Sequence, residues 1–402
     1  MKKLIFIIAL IFTGSLWAQN FEEPKKDTYE FNGVKVKVGG DFALQFQGLK
    51  HSTKAANVKL YDMVSNFNLP TANFDIDAYL AKGVKMHLTT YLSSRHHNEA
   101  WVKGGYLQID NLDFISEGFL SDLMNVTTFK VGQDDINYGD THFRRSDNAN
   151  VINNPFVGNY IMDSFNTEIF GEVTVQTPSG LLGVLGVSNG KLNQGVVVNN
   201  RYNGDNKISF YGKLGYDKQV DTDLRLRLTG SWYINNGTTT GTYLYGGDRT
   251  GSRYYYTLVE DGADDNPFSG RFNPRFSELT ALQFAPFVKY KGLEFFGVYE
   301  IAKDNSDNKG QYTQLGTELL YRFGKDENLY LGGRYNTVSG KPNDAATEGS
   351  VNRLNIGGGW FLTKNILTKV EYVKQTYSDD GWSGTLQGGE FNGVMLEAAI
   401  SF

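Results

Sequence analysis

The chain has 402 residues, no cysteine and a formal net charge of −5. The lack of cysteine excludes disulfides and the acylated cysteine of a lipoprotein. An acidic chain without a basic face also argues against nucleic-acid binding. Glycine, tyrosine and phenylalanine are abundant, with 46, 24 and 27 residues, whereas proline occurs only 8 times. Together with a negative mean hydropathy, this composition is typical of long strands of alternating polarity.

The first 18 residues have the three parts of a secretory signal peptide. Lys2 and Lys3 provide a positive start, and an uncharged, mostly apolar run follows over residues 4–16. Ala18 is a small residue suited to cleavage, so the mature chain is expected to begin at Gln19. A retained membrane anchor is the alternative, but the run is too short for a spanning helix. No other segment is apolar for long enough to span a membrane as a helix.

The C-terminal segment shows the clearest period of two. Its apolar side chains occupy alternate positions: Val394, Leu396, Ala398, Ile400 and Phe402. Because successive side chains of a strand point to opposite faces, one face of this strand is apolar and the other is not. Residues 222–234 repeat the pattern, with leucines on one face and Arg225 and Arg227 on the other.

Sixteen segments follow this pattern, and most are about 10 to 13 residues long. They are predicted at 36–49, 72–81, 83–93, 103–112, 126–133, 165–177, 180–189, 206–217, 222–234, 279–290, 293–302, 312–324, 327–338, 350–362, 365–377 and 390–402. Strands that cross a bilayer at a tilt need about 9–11 residues, whereas strands of soluble proteins have about five or six. The lengths therefore favour membrane-spanning strands over a soluble sandwich, whose strands also alternate in polarity.

The connections between these segments alternate in length. Most of those after even-numbered segments are turns of one to five residues, and most of those after odd-numbered segments are long. The connection at 113–125 departs from this rule and is predicted to contain a short helical turn. Short turns at one rim and long loops at the other are typical of outer-membrane barrels, whose short turns face the periplasm.

Backbone groups cannot remain unpaired in hydrocarbon, so strands that cross a membrane must close into a barrel. The sequence therefore predicts an all-β fold, a closed antiparallel transmembrane β-barrel of about 16 strands over residues 36–402. Residues 19–35 are predicted to form a periplasmic N-terminal segment, and residues 134–164 an outer loop. The expected location is the outer membrane of a Gram-negative bacterium.

This architecture resembles that of the sixteen-stranded bacterial porins over nearly the whole mature chain. The final residues LEAAISF, which end in Phe402, resemble the C-terminal signal that the barrel-assembly machinery recognises. The resemblance implies this machinery, outer-membrane lipid and lipopolysaccharide as partners, a homotrimer as the assembled state, and no cofactor. The FRRSDN stretch and the NPF that follows it also resemble the phosphate-selective porins, although the lysine-rich loops of that group are not evident.

The third long loop carries the second part of the resemblance. Porins of this class fold that loop into the barrel as a constriction, where opposed carboxylates and guanidinium groups filter ions by charge. The loop at 134–164 is about 31 residues long. The expected constriction residues are Asp134, Asp135, Asp140, Arg144, Arg145 and Asp147. Arg144 and Arg145 are expected to favour anions. A solvated surface loop held by its own salt bridges is the alternative.

If the apolar faces contact lipid, the opposite faces line the lumen. Charged residues expected there include Lys213, Arg225, Arg227, Arg322, Arg334 and Glu318. In one interpretation, Lys213, Arg225 and Arg227 form a basic ladder on neighbouring strands that guides anions. In the other, lumen charges of mixed sign pair with each other and hold water.

No motif indicates catalysis or a metal site. His96, His97 and Glu99 lack the spacing of a zinc site, and the acidic stretch at 261–265 lacks the glycine and glutamate of a calcium loop. No Ser-His-Asp order stands out, so an enzyme is not expected. The expected function is passive diffusion of small hydrophilic solutes or ions. The alternatives are a substrate-specific transporter and a closed structural or adhesin barrel, in which the tyrosine-rich loop at 235–278 would bind a partner.

Overall fold

The computed structural model describes residues 19–23, 31–68, 70–93, 100–146, 150–190, 207–237, 244–245, 254–263, 272, 274, 276 and 278–402. Several predicted features lie outside these residues: the signal peptide, Asp147, the pair His96 and His97, and Asp264 and Asp265 of the acidic stretch. Within the described ranges, no helix has both the length and the apolar character needed to cross a membrane.

The strands agree closely with those predicted. They are β1 (Lys35–Ser52), β2 (Asn66–Phe67), β3 (Thr71–Ala81), β4 (Val84–Ser93), β5 (Ala100–Ile109), β6 (Thr127–Asp135), β7 (Thr167–Gln176), β8 (Leu181–Ser188), β9 (Ser209–Gln219), β10 (Leu224–Asn235), β11 (Leu279–Tyr290), β12 (Leu293–Asp304), β13 (Lys309–Phe323), β14 (Leu329–Asn343), β15 (Gly349–Thr363), β16 (Ile366–Tyr377) and β17 (Glu390–Ser401). A short helix, α1 (Ser121–Met124), lies where the sequence predicted a helical turn. Two 3-10 turns cover Thr141–Arg144 and Gly384–Leu386.

The sheet closes on itself through its first and last strands. Residues 35–43 of β1 pair antiparallel with β3, and residues 41–52 pair antiparallel with β17. All strands but the two-residue β2 form this ring, each paired with its neighbours in the chain. Closure leaves no open strand edge, as a lipid environment requires. The predicted closed antiparallel barrel of about 16 strands is confirmed.

The two faces of each strand differ as the alternation predicted. In β17, Val394 and Leu396 expose 43% and 44% of their surface outside the barrel, whereas Met395 and Glu397 are buried inside. In β10, Leu228 is exposed while Arg227 is buried. Exposed apolar side chains recur all round the ring, which gives the barrel an apolar outer surface suited to lipid.

Several of the exposed aromatic side chains lie at one end of the outer surface. They include Tyr290, Tyr321, Phe323, Trp360 and Phe402. Each lies near the last residue of its strand, beside the short turns or the C-terminus. Amphipathic rings favour the headgroup level of a bilayer, so these positions mark the periplasmic interface.

Two residues with special backbone properties, Gly83 and Pro286, fit the sheet in different ways. At the turn between β3 and β4, Gly83 has φ +67°, and a Cβ there would lie 2.3 Å from the Cβ of Asn111. In β11, Pro286 lies within the strand, where it has no N–H to donate. The β11–β12 register passes from Phe284 opposite Tyr299 to Phe287 opposite Phe296 without a shift, so the proline interrupts the ladder and does not bulge it.

Candidate functional site

The long connection between β6 and β7, residues 136–166, folds into the barrel. We call it the inward loop. Ile136, Val151, Val157 and Met162 are each exposed by 3% or less. Burial of this extent is incompatible with a solvated surface loop, so these residues lie inside the barrel.

Backbone groups of the inward loop bond to side chains of the barrel interior. The Val157 N–H donates to Glu371 Oε2 at 2.8 Å, and the Ile161 N–H donates to Asn336 Oδ1 at 2.6 Å. Other donors reach back from the barrel to loop carbonyls, among them Tyr330, Arg334, Arg353 and Lys369. These side chains lie on β14 to β16, so the loop is held against that side of the lumen.

A row of alternating charges anchors the centre of the loop. Arg144 Nη2 donates to Glu294 Oε1 at 2.9 Å and also to Glu318. Glu294 accepts from Arg322 at 3.0 Å, and Glu318 accepts from Arg334 at 2.7 Å. All five side chains are buried, so three of the predicted pore charges neutralise carboxylates and do not face water.

A second anchor forms around Asp140. Its carboxylate accepts from Lys213 at 3.0 Å, from Arg227 at 2.8 Å and from Thr229 at 2.8 Å. Burial alone would raise the pKa of the Asp140 carboxyl, but the two cations outweigh burial and hold that pKa well below its usual range. Lys213 and Arg227, two members of the predicted basic ladder, are therefore neutralised by ion pairs with Asp140.

The remaining predicted arginines are also paired. Arg145 makes a two-point contact with Asp163 of the same loop, at 2.8 and 2.9 Å, and is buried. Arg225 makes a similar contact with Asp217 of β9, at 2.9 and 2.8 Å, but is less deeply buried. Two-point guanidinium–carboxylate pairs have fixed geometry, so both arginines are held in place.

Water-accessible space remains on the other side of the lumen. A cavity of about 570 Å³ lies between the inward loop and the inner faces of β3 to β7. Asp134 and Asp135, at the end of β6, line this cavity, and His142 lies 3.1 Å from Asp135. Its lysines are Lys35, Lys37, Lys85 and Lys130. Of the expected constriction residues that the structure describes, only these two aspartates face the cavity.

Residues 19–23 are part of the site, which sequence reasoning missed. The segment is short and polar and was predicted to be periplasmic. The structure places Gln19 and Phe21 inside the barrel, exposed by 3% and 6%. Glu22 bonds to Lys213 at 2.8 Å, which supplies the physical reason for this position. No sequence signal near residue 19 indicates these partners.

A second long connection also enters the barrel, from the same rim as the inward loop. In the described residues of the 235–278 loop, Tyr245 donates to Glu300 at 3.0 Å and Tyr254 donates to Glu371 at 2.6 Å. Tyr138 of the inward loop donates to the same Glu300 oxygen at 3.0 Å. The abundance of tyrosine was the sequence feature that pointed to a binding role for this loop. The sequence did not decide whether its tyrosines contact a partner or line the pore.

No metal cluster is found in the part of the chain that the structure describes: no group of three or more His, Asp or Glu side chains there could hold an ion. The pair His96 and His97 is not among those residues.

No family model and no curated protein matches the chain. Solved structures do match it in fold. The anion-selective porin from Comamonas acidovorans is 11% identical, with 92% of this chain and 100% of that chain covered and a TM-score of 0.58. The outer membrane channel DcaP of Acinetobacter baumannii is 13% identical, with 93% and 99% covered and a TM-score of 0.52. A trimer form of OmpT from Vibrio cholerae is 10% identical, with 92% and 100% covered and a TM-score of 0.51.

These identities are low, so the likeness concerns the fold. The chain has the closed barrel of the outer-membrane porins and channels. Its apolar outer surface and the short turns at one rim fit a barrel that spans a lipid bilayer.

Proposed function

We propose that the protein is a porin, through which small hydrophilic solutes or ions diffuse passively across the outer membrane. One observation carries this proposal: the inward loop is anchored to one side of the lumen and leaves a charged cavity of about 570 Å³ on the other. A barrel of this strand number is wide enough to hold an aqueous path beside a folded loop.

The charges that face the cavity would set the selectivity. Asp134, Asp135 and the four cavity lysines are of both signs, which suits a general diffusion pore with weak charge preference. Arg144 and Arg145 are proposed to act by anchoring the loop, since both are buried and paired with carboxylates.

Assembly is proposed to follow that of other outer-membrane barrels. Phe402 exposes 67% of its surface, and its backbone N–H and carbonyl bond to Gly40 of β1 at 3.0 and 3.1 Å. An exposed terminal ring on the closing strand suits recognition by the barrel-assembly machinery. The trimer form of the Vibrio cholerae barrel supports a homotrimer. Lipid and lipopolysaccharide are the proposed surroundings of its apolar outer surface.

A second candidate is a narrower, substrate-specific channel. The observation that favours it is an apolar cluster inside the barrel to which both long connections contribute. Its members from the 235–278 loop are Leu244, Tyr245, Leu258, Phe272 and Phe276. Apolar side chains at that level would reduce the water path to the side of the lumen that faces β3 to β7.

Single-channel recording of refolded protein in a planar bilayer tests both candidates. Folding is first established by heat-modifiable mobility on a gel. Long-lived ohmic steps in plain salt would support the porin. Small conductance in salt, with current block by one class of solute, would support the specific channel. A folded protein that leaves the bilayer silent would contradict both and would favour a closed structural barrel.

A further inference from the structure

The N-terminal segment Gln19–Glu23 lies inside the barrel beside the cavity. Phe21, Glu22 and Glu23 all line that cavity. The aspartates of the inward loop and of β6 were the expected selectivity charges, whereas this segment was expected to lie outside the pore. Its contacts show that it forms part of the boundary of the water path.

One side of the segment is bonded to β9 and β10. The Glu22 carboxylate accepts from Lys213 of β9 at 2.8 Å and lies 2.7 Å from Arg227 of β10. Phe21 packs edge-on against Phe287 at 5.2 Å between ring centres, and the Arg227 guanidinium lies 4.2 Å from the centre of the Phe21 ring. The Glu22 and Arg227 side chains are nearly fully buried, so screening by water is weak.

The segment is also bonded to the inward loop. Gln19 accepts from Arg144 at 2.8 Å through its side-chain oxygen and donates to the Phe143 carbonyl at 3.0 Å. Arg225 donates to the Gln19 carbonyl at 2.7 Å. Three independent bonds at one residue hold the start of the segment against the loop anchor.

Glu23 is the more exposed of the two carboxylates of the segment. Its side chain is 59% exposed, and its Oε2 lies 3.8 Å from Nζ of Lys85 on β4. β4 is five strands round the ring from β9, where Glu22 is bound. The segment therefore reaches from one part of the barrel interior toward another and carries a carboxylate into the cavity between them.

We infer that residues 19–23 form a fixed boundary of the permeation path and that Glu23 on it is a selectivity-determining residue. This inference rests on the proposed porin function. A carboxylate held beside a narrow water path raises the local concentration of cations and lowers that of anions. The anchors at Gln19, Phe21 and Glu22 hold that charge in one place beside the cavity.

Charge substitution at Glu23 tests the selectivity. Replacement with lysine, Glu23→Lys, changes the charge by two units. One unit charge about 10 Å away in water changes the local concentration of an ion about twofold, upward for one sign and downward for the other, so the cation-to-anion permeability ratio should shift toward anions by roughly tenfold. The control is Glu117→Lys, an exposed residue of the periplasmic connection outside the barrel. Equal reversal potentials for both variants would overturn the inference.

The chain contains no cysteine, so a single introduced thiol is a unique label. A charged methanethiosulfonate reagent should react with Glu23→Cys and change the open-channel current, and it should react with Glu117→Cys without changing the current. Reaction at residue 23 without a current change would place the residue outside the path. A wild-type protein without channel activity would contradict the porin function itself. An active wild type whose permeability ratio and current are unchanged by the substitutions at Glu23 would contradict only the role of the segment.

Discussion

Arg144 Nη2 of the inward loop lies 2.9 Å from Glu294 Oε1 on β12, and both side chains are fully buried. Arg144 also contacts Glu318 on β13, so one guanidinium bonds to carboxylates of two neighbouring strands. A buried charge without its partner is costly, because neither water nor another ion compensates it. The pair therefore decides where the loop lies and, through the loop, which side of the lumen stays open.

Replacing Arg144 should release the inward loop. Arg144→Gln leaves two buried carboxylates with one cation fewer, and removal of one partner from a buried pair costs about 3 kcal/mol. We expect a lower unfolding temperature in heat-modifiable gel assays and a larger, noisier single-channel conductance. Arg225→Gln is the matched control, because Arg225 is 19% exposed and its loss should cost much less. Identical behaviour of the two variants would contradict the anchoring role.

Neutralising the cavity aspartates should shift ion preference. Asp134→Asn removes a carboxylate from the cavity, so the cation-to-anion permeability ratio should move toward anions by up to about fourfold, because one unit charge about 10 Å away in water changes cation and anion concentrations about twofold in opposite directions. Asp122→Asn is the control, because Asp122 is exposed on α1 outside the barrel. Reversal potentials in a salt gradient provide the measurement. A shift of equal size in the control would show that the effect is not local to the cavity.

Protonation of the N-terminal anchor should change channel properties only at acidic pH. Burial alone would raise the pKa of Glu22, but Lys213 and Arg227 outweigh burial and lower this pKa from 4.5 to about 2. A carboxyl whose pKa is lower in the folded state stabilises the fold above the unfolded pKa, and this stabilisation is lost as pH falls through the folded pKa. Its contribution should be complete above about pH 4.5 and should vanish toward pH 2.

The measurement is single-channel conductance from pH 8 downward in roughly unit steps, with a Glu22→Gln variant as the control. The wild type should gain conductance and noise only in the acidic window below about 4.5, and the variant should show the noisier state at every pH. A wild-type transition at neutral pH that Glu22→Gln retains would show that a different group controls the segment.

Changing the terminal phenylalanine should affect assembly and not permeation. Phe402→Ala removes an exposed ring at the end of the closing strand, so less protein should reach the outer membrane in cells. Protein refolded in vitro should conduct like the wild type. Tyr290→Ala is the matched control, because Tyr290 is also an exposed aromatic residue at the periplasmic end of a strand. Equal membrane yields for both variants would contradict a specific signal at Phe402.

Local sequence was sufficient to predict the strands. The segment predicted at 279–290 is β11 (Leu279–Tyr290), because alternation of polarity is a property of neighbouring residues and needs no partner. The segment predicted at 103–112 is β5 (Ala100–Ile109), which begins three residues earlier. There Lys103 has no opposite residue on β4, because Thr89 pairs with Gly104 and Thr90 pairs with Val102. One extra residue in a strand changes which side chains face inward, and the sequence alone does not show where this occurs.

For the candidate site, too, local sequence predicted some features, whereas others depend on contacts between residues far apart in the chain. The sequence by itself determined the barrel and its lipid-facing surface. It assigned Asp134 and Asp135 to the loop at 134–164, whereas the structure places both at the end of β6. Only the tertiary structure decided that Arg144 is buried, because its carboxylate partners follow it by 150 and 174 residues. An ion pair forms only when closure of the barrel brings both groups within about 3 Å, and no local pattern records that distance.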